Sequence, residues 1–475
     1  MTIPPVTASP APPPHESSSR ATMVVVGLGT LLSALAGSTI NLGLPSLGRE
    51  HGVPLSETRW VVQAFLLTVG VLLLVAGRLG DLLGHRRLYL WGFVLFGLAS
   101  LGCGLAPGFA SLLAMRVLQG VGSAMLMASG PALLTTSVPG SHRGRALGVL
   151  STATYVGLTF GPPVGGALVE LGGWRWTFFV NVPVSLVVAA MGFALLPRRP
   201  RPEGAMAFDW RGALTLVSGL PLLLLALSEG NVWGWSSPVT LATGLAGCAG
   251  LTVFLLTQRR RASPLLDLGL FGSRLFVGAV LSAVANYVAL FVLIILLPFY
   301  LEEGRGFSMS RAGLLLAVQP AAMALVASPS GWLSDRIGSR ALAVGGLGTM
   351  GGGMLLCSLL DSSSGDGTIA LYLGLVGLGT GIFISPNSSA LMGSAPKRLQ
   401  GTAGGILAEA RIIGMLLGVT LGTSVYAAMG GSSGLGWTPT DFKALRVALL
   451  AAGAVALVGA FAAALRGNKG PALGT

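Results

Sequence analysis

From Ala21 onward the chain is a succession of apolar stretches separated by short polar breaks. A helix that crosses a bilayer needs about 20 mostly apolar residues. On that measure spans are predicted at 21–45, 58–77, 88–106, 109–137, 145–169 and 176–196. The polar segment RRPRPEGAMAFDWRG follows, then two weaker spans at 212–228 and 239–257. After QRRRASPLLDLGLFGSR come spans at 277–300, 312–332, 341–360, 368–393, 402–429 and 444–465. The expectation is an all-α integral membrane protein of about fourteen helices. It divides into a disordered tail (1–20, rich in Pro and Ser), an N-terminal six-helix bundle (21–197), a linker with two extra helices (198–276), a C-terminal six-helix bundle (277–466) and a short tail (467–475). No basic n-region or clear cleavage site accompanies the first apolar stretch, which is expected to stay as a membrane helix.

Composition supports the same solvent. Of 475 residues, 52% are hydrophobic and 9% charged, too few charges to coat a water-soluble globule of this size. The net charge of +13 is spread through the breaks and is not gathered on an arm or face, so no nucleic-acid partner is expected. The basic residues fall after even-numbered spans: Arg78, Arg86 and Arg87 after the second, Arg143 and Arg145 after the fourth, and Arg198, Arg199, Arg201 and Arg211 after the sixth. Arg259, Arg260, Arg261 and Arg274 follow the eighth, Arg336 and Arg340 the tenth, and Lys397 and Arg398 the twelfth. Positively charged loops stay in the cytoplasm, which puts both termini there, in a multi-pass protein of the plasma membrane. The odd connections carry acids instead (Glu229, Asp361, Asp366), with Arg305 and Arg311 offset by Glu302 and Glu303. Cys103, Cys248 and Cys357 have no disulfide or metal spacing, and His15, His51, His85 and His142 read as tail or loop residues, so no metal site or cofactor is expected.

The chain repeats itself. GRLGDLLGHRR (Gly77–Arg87) and GWLSDRIGSR (Gly331–Arg340) share G-x-L-x-D-x-x-G followed by Arg. Pro139, Gly144, Ala146 and Gly148 recur at nearly the same offset as Pro396, Gly401, Ala403 and Gly405. Duplicated halves with a site at their interface are common in secondary transporters. Further patterns occur in order: Arg116, Gln119, Gly120, Gly122 and Ala124 in the fourth span; Gly157, Gly161, Pro162, Gly165 and Gly166 in the fifth; then GGWRWTFFVNVP and FDWRG. Gly346, Gly348 and Gly351 form G-x-G-x-x-G, but inside a span with no preceding strand, where helix packing is the better reading.

Together these motifs resemble the major facilitator superfamily, and specifically its fourteen-helix drug:proton antiporter branch of multidrug-exporter-like proteins. The resemblance implies two rocking bundles, alternating access and proton-driven export. It implies a conformational latch at Gly77, Asp81, Gly84 and Arg86, repeated at Gly331, Asp335, Arg336 and Gly338. Topology alone would also explain basic residues in those loops. The Gly157–Gly166 pattern resembles the one that marks antiporters, although small residues at this spacing also serve helix packing. Arg116 is similar to an Arg linked to proton coupling, and snorkelling to an interface is its structural alternative.

One departure from the branch shapes the expected chemistry. Relatives usually carry an Asp in the first helix, where LAGSTINLGLP has Ala36. The acid well inside a predicted span is Glu409, with Arg411 two residues on and therefore on nearly the opposite side of the helix. Glu409 is expected to bind the coupling proton and compete with substrate, or else to be a structural partner. With Arg116 and Arg411 and a single acid, the cavity suits neutral, zwitterionic or anionic amphiphiles better than dications. Asn41, Gln63, Tyr155, Asn286, Gln319 and Asn387 could orient such a molecule or simply tie helices together. The expected partners are a small-molecule substrate, protons and the lipid bilayer, and the expected state is a monomer. An exporter dedicated to one metabolite or self-made antibiotic is the alternative. A membrane enzyme would need clustered His, Asp, Glu or Ser nucleophiles, and none is present in the sequence pattern.

Overall fold

The computed structural model describes residues 16–137, 143–197, 209–259, 267–396, 399–431 and 437–466. The helices are α1 (Glu16–His51), α2 (Leu55–Thr58), α3 (Trp60–Leu83), α4 (His85–Gly104), α5 (Phe109–Ser137), α6 (Arg143–Gly172), α7 (Trp176–Phe179) and α8 (Asn181–Leu195). They continue as α9 (Trp210–Trp233), α10 (Pro238–Arg259), α11 (Arg274–Phe299), α12 (Met309–Ile337), α13 (Ser339–Cys357), α14 (Asp366–Ser394), α15 (Gln400–Ala428) and α16 (Pro439–Leu465). Short α2 leads into α3 and α7 into α8, each pair making one span. Among the described residues 13 helices are long and apolar enough to cross a membrane, and the 30-residue α6 runs with them, packed on α1 and α12.

Several boundaries lie outside the hydropathy limits. Helix α1 begins at Glu16, so residues 16–20, expected as tail, are helical; the backbone ladder, once formed, extends cheaply past the apolar core. Helix α9 continues to Trp233, so Glu229, expected in a connection, lies within a helix and is buried. His51 ends α1 against the rings of Phe109 and Trp174, and His85 opens α4, so these two are helix-end residues and not loop residues.

Lipid offers helices no hydrophobic reason to associate, so close approach and polar ties must hold them. The contacts repeat between the halves. In the first set α1 packs on α6, α3 and α4 on α5, and α4 and α1 on α8. In the second, α11 packs on α15, α12 and α13 on α14, and α13 and α11 on α16. The order of partners is the same. The two sets meet along α6–α12 and α3–α15, which are themselves equivalent under that repeat. Helices α9 and α10 pack on each other, and α9 also touches α3 and α15.

The hydrogen bonds and ion pairs described between the two sets gather at one end, where the odd connections lie. Arg49 of α1 pairs with Glu302 and, at 3.5 Å, with Glu303 in the π-turn Tyr300–Gly304 after α11. Glu170, at the end of α6, accepts from the backbone N–H of Ser310 at 3.1 Å and from its hydroxyl. It thereby caps the start of α12, where a negative charge is favoured. Arg59 reaches Thr423 of α15 at 3.1 Å.

Candidate transport cavity

Between the two sets lies a cavity of about 290 Å³, walled by α1, α6, α11, α12, α14 and α15. Its surface is mainly apolar and aromatic, with Leu290, Phe291, Ile294, Leu316, Met323 and Met415 among the lining residues. Asn41, Tyr155 and Gln319 line it, together with Tyr287, Thr154 and Ser388, which hydropathy did not single out. Arg411 is the one charged side chain among the lining residues. It has no ion-pair partner among the described residues, so its guanidinium is free to meet a ligand. A handful of placed polar groups in an apolar cleft is the usual form of a small-molecule site.

The other three expected cavity residues lie elsewhere, bonded or packed within helix contacts. Gln63 donates to Ser228 Oγ (3.2 Å) and Thr420 Oγ1 (2.9 Å), tying α3 to α9 and α15. Asn387 donates to Ala279 O at 2.9 Å and accepts from Arg466 at 2.5 Å, within the second set. Asn286 is fully buried and does not line the cavity. Amides cannot be sorted by sequence into lining and tying roles, because neighbouring residues on a helix face different partners.

Glu409, Arg411 and Arg116 are not brought together. Glu409 faces α3: a Cβ at Gly70 would sit 3.6 Å from its Oε1 and 2.8 Å from Ile412 Cγ2. Both carboxyl oxygens are shielded from solvent and have no hydrogen-bond partner among the described residues. Glu409 is not among the residues that line the cavity in this conformation. The expected opposition of Glu409 and Arg411 on α15 holds. Arg116 is 3% exposed and bonds Val61 O (2.6 Å) and Gln119 Oε1 (2.5 Å), with its guanidinium 4.5 Å from the Phe65 ring. Val61 and Gly70 are roughly 13 Å apart along α3.

The fifth-span motif forms two seams. Gly157 and Gly165 let α6 lie directly on α1: added Cβ atoms would meet Leu31 O at 2.7 Å and Thr39 O at 2.6 Å. Gly161 faces Ser38 on the same seam, while Gly166 faces the backbone of Met309 across the halves. Pro162 lines the cavity, and its carbonyl faces Gly313 of α12. The loop motifs form matching turns, with Gly84 at φ 93° and Gly338 at φ 89°, values that L side chains rarely adopt. Asp81 pairs with His85 (3.1 Å) and Arg78 (3.9 Å) within its own half. Arg86 bonds Leu196 O and Phe193 O at the end of α8, both at 2.9 Å. Gly77 has open space beside it, Gly331 faces Ser385, and Arg336 lies 3.9 Å from the Trp332 ring. The Asp335 side chain and Pro139 lie outside what the structure describes, as do the surroundings of Gly144, Ala146, Gly148 and Gly401.

The duplicated contacts, the interfacial cavity and the paired loop turns agree with a match to the family model "Major Facilitator Superfamily" over residues 26–281 and 275–474. The chain belongs to this superfamily. The superfamily member is 31% identical over 409 residues to the riboflavin transporter RibZ of Clostridioides difficile, covering 85% of this chain and 88% of that one. It is 32% identical to the multidrug resistance protein Stp of Mycobacterium tuberculosis (86% and 76% covered) and 33% identical to the puromycin resistance protein pur8 of Streptomyces alboniger (84% and 80%). Its fold is similar to the crystal structure of a bacterial homologue of the human lysosomal transporter Spinster, inward-facing and unoccupied, with a TM-score of 0.70, 16% identity and 95% and 97% of the two chains covered. The transporter is a multi-pass protein of the plasma membrane that carries a small molecule.

The transporter also has a buried ion pair that hydropathy concealed. Arg59 is 2% exposed and bonds Glu229 Oε1 at 2.7 Å. Its signal in the sequence is an arginine beside an odd connection, where positive charge is disfavoured.

Proposed function

We propose that this transporter exports drugs or other small amphiphilic organic molecules by proton antiport, through alternating access of two six-helix bundles, 21–197 and 277–466. Both termini are cytoplasmic and the working unit is a monomer that engages no nucleic acid. The observation that carries this reading is the two-faced character of α15. One face presents Arg411 to the cavity, and the other turns the unpaired carboxyl of Glu409 toward α3 in the second bundle-to-bundle seam. A carboxyl at that seam is compatible with tight packing when it carries a proton and demands water or a cation when it does not. Proton binding therefore acts on the contact between bundles, while substrate binds Arg411 on the same helix. Among the described residues Asp81 pairs within its own half, while the opposite end is tied across the halves by Arg49, Arg59 and Glu170. Arg116 supports α3 from its far side.

Relatives named for multidrug and puromycin resistance support export, and the riboflavin transporter supports the narrower alternative of a carrier dedicated to one metabolite. Flux into proteoliposomes tests the mechanism. With one proton exchanged per substrate, a gradient of two pH units supports up to about 100-fold accumulation in the acid compartment. Equal flux with and without the gradient would rule out antiport.

Arg411 predicts selectivity. A charged hydrogen bond contributes about 1.5–3 kcal/mol, so Arg411→Ala should weaken apparent affinity for an anionic amphiphile by roughly tenfold or more. A neutral substrate should be little affected and Arg411→Lys should retain most of the affinity. Equal losses for neutral and anionic substrates would show that Arg411 is structural.

A further inference from the structure

Helix α9 belongs to neither set of six, yet it supplies the buried counter-charge at the shut end of the α3–α15 seam. Arg59, at the junction of α2 and α3, donates to Ser56 O (2.7 Å), Ser228 O (3.0 Å), Glu229 Oε1 (2.7 Å) and Thr423 Oγ1 (3.1 Å). Trp60 Nε1 adds a second bond to Glu229 Oε1 at 2.8 Å. One turn deeper, Gln63, Ser228 and Thr420 bond one another at 2.9–3.2 Å. Three helices thus meet in one buried network.

Its bonds are of two kinds. Toward α9, Arg59 has a carboxylate and α3 has two donors on Glu229; toward α15 there are threonine hydroxyls alone. The Arg59 guanidinium is bonded on both sides, but only on the α9 side is its partner an opposite charge, and a buried charge left without its counter-charge is heavily penalised. When this end opens, the hydroxyl bonds are the ones that break, and Arg59 keeps its neutralising partner.

We infer that α9 is a working part of the transport cycle: Glu229 clamps it to α3, the two move together, and Thr420 and Thr423 of α15 form the releasable side of an outer gate. Glu229 is a positioning residue that keeps Arg59 neutralised in both open and shut states. This inference does not depend on the coupling ion or on the substrate.

Spin-label distances in the full-length transporter test it, with exposed Cys248 replaced by Ser. Labels at Glu57→Cys and Ala427→Cys, both exposed, report α2–α15 separation, and labels at Glu57→Cys and Val232→Cys report α2–α9. The first pair should show two populations, wide and narrow, and the second a single distance shared by both. Glu229→Gln leaves Arg59 as an uncompensated charge and should move the first pair toward the wide population by about tenfold. Arg59→Gln combined with Glu229→Gln removes both charges and should return the balance toward wild type; if the single variant does not fold, the constancy of the α2–α9 distance in the otherwise wild-type labelled protein carries the test. The inference is overturned if the α2–α9 distance changes as the gate opens, or if neither the single nor the double substitution alters the balance in the stated directions.

Discussion

Glu409→Gln is expected to reduce gradient-driven accumulation from as much as about 100-fold to parity under a two-unit pH gradient. The amide resembles the protonated acid in size and charge but binds no exchangeable coupling proton. The α3–α15 seam would then pack as it does with neutral Glu409, because Gly70 leaves room for the side chain and Ile412 fills the remainder. Substrate exchange without a gradient should persist, since Arg411 and the rest of the cavity lining are untouched. Transport by Glu409→Gln at the wild-type rate, with the same response to pH, would place the coupling proton elsewhere. Loss of both driven transport and exchange would assign Glu409 to the structure of the seam.

Gly313→Val should slow transport by about tenfold to a hundredfold while leaving a folded, membrane-inserted protein. A Cβ at Gly313 would overlap the carbonyl oxygen of Pro162 and lie 3.0 Å from Pro162 C and 3.1 Å from Pro163 Cα. At the reciprocal position, a Cβ at Gly166 would lie 2.9 Å from Met309 C and 3.2 Å from Ser310 Cα. These neighbours are backbone atoms and cannot rotate away, so the helices must separate. Overpacking of this kind costs typically 1–3 kcal/mol, enough to shift a conformational balance by about tenfold to a hundredfold. The α6–α12 contact joins the halves, so the cost falls on the shut state and spares the packing within each bundle. Labels at Leu171 and Leu314, both exposed, should show a wider separation in Gly313→Val than in wild type. Wild-type transport by this variant would show that α6 and α12 need not touch during the cycle.

Much of the fold was legible because lipid imposes a simple rule. Each crossing must be an apolar helix with its backbone bonds satisfied internally, and loop charge records the side on which it stays. Fourteen predicted stretches correspond to helices, with ends displaced where polar residues continue the backbone ladder past the apolar core. The arginines near odd connections show what hydropathy misses. Arg49 pairs with Glu302 and Glu303, Arg59 with Glu229, and Arg175 with Glu50. Each is matched to an acid distant in sequence, so the net charge of that side conceals specific ties between helices.

By itself the sequence determined the membrane solvent, the number of helices, the duplication and the opposite facing of Glu409 and Arg411, because these depend on local composition and a 100° helical step. Tertiary structure alone decided which residues meet. It put Asn41, Tyr155, Gln319 and Arg411 around one cavity, and it placed Gln63 and Asn387 in bonds between helices. It also turned Glu409 toward Gly70 and joined Arg59 to Glu229 across 170 residues. The reason is physical: a helix has polar and apolar faces in the sequence, but the identity of its neighbour depends on small-residue seams and buried charge pairs that form only when the helices assemble.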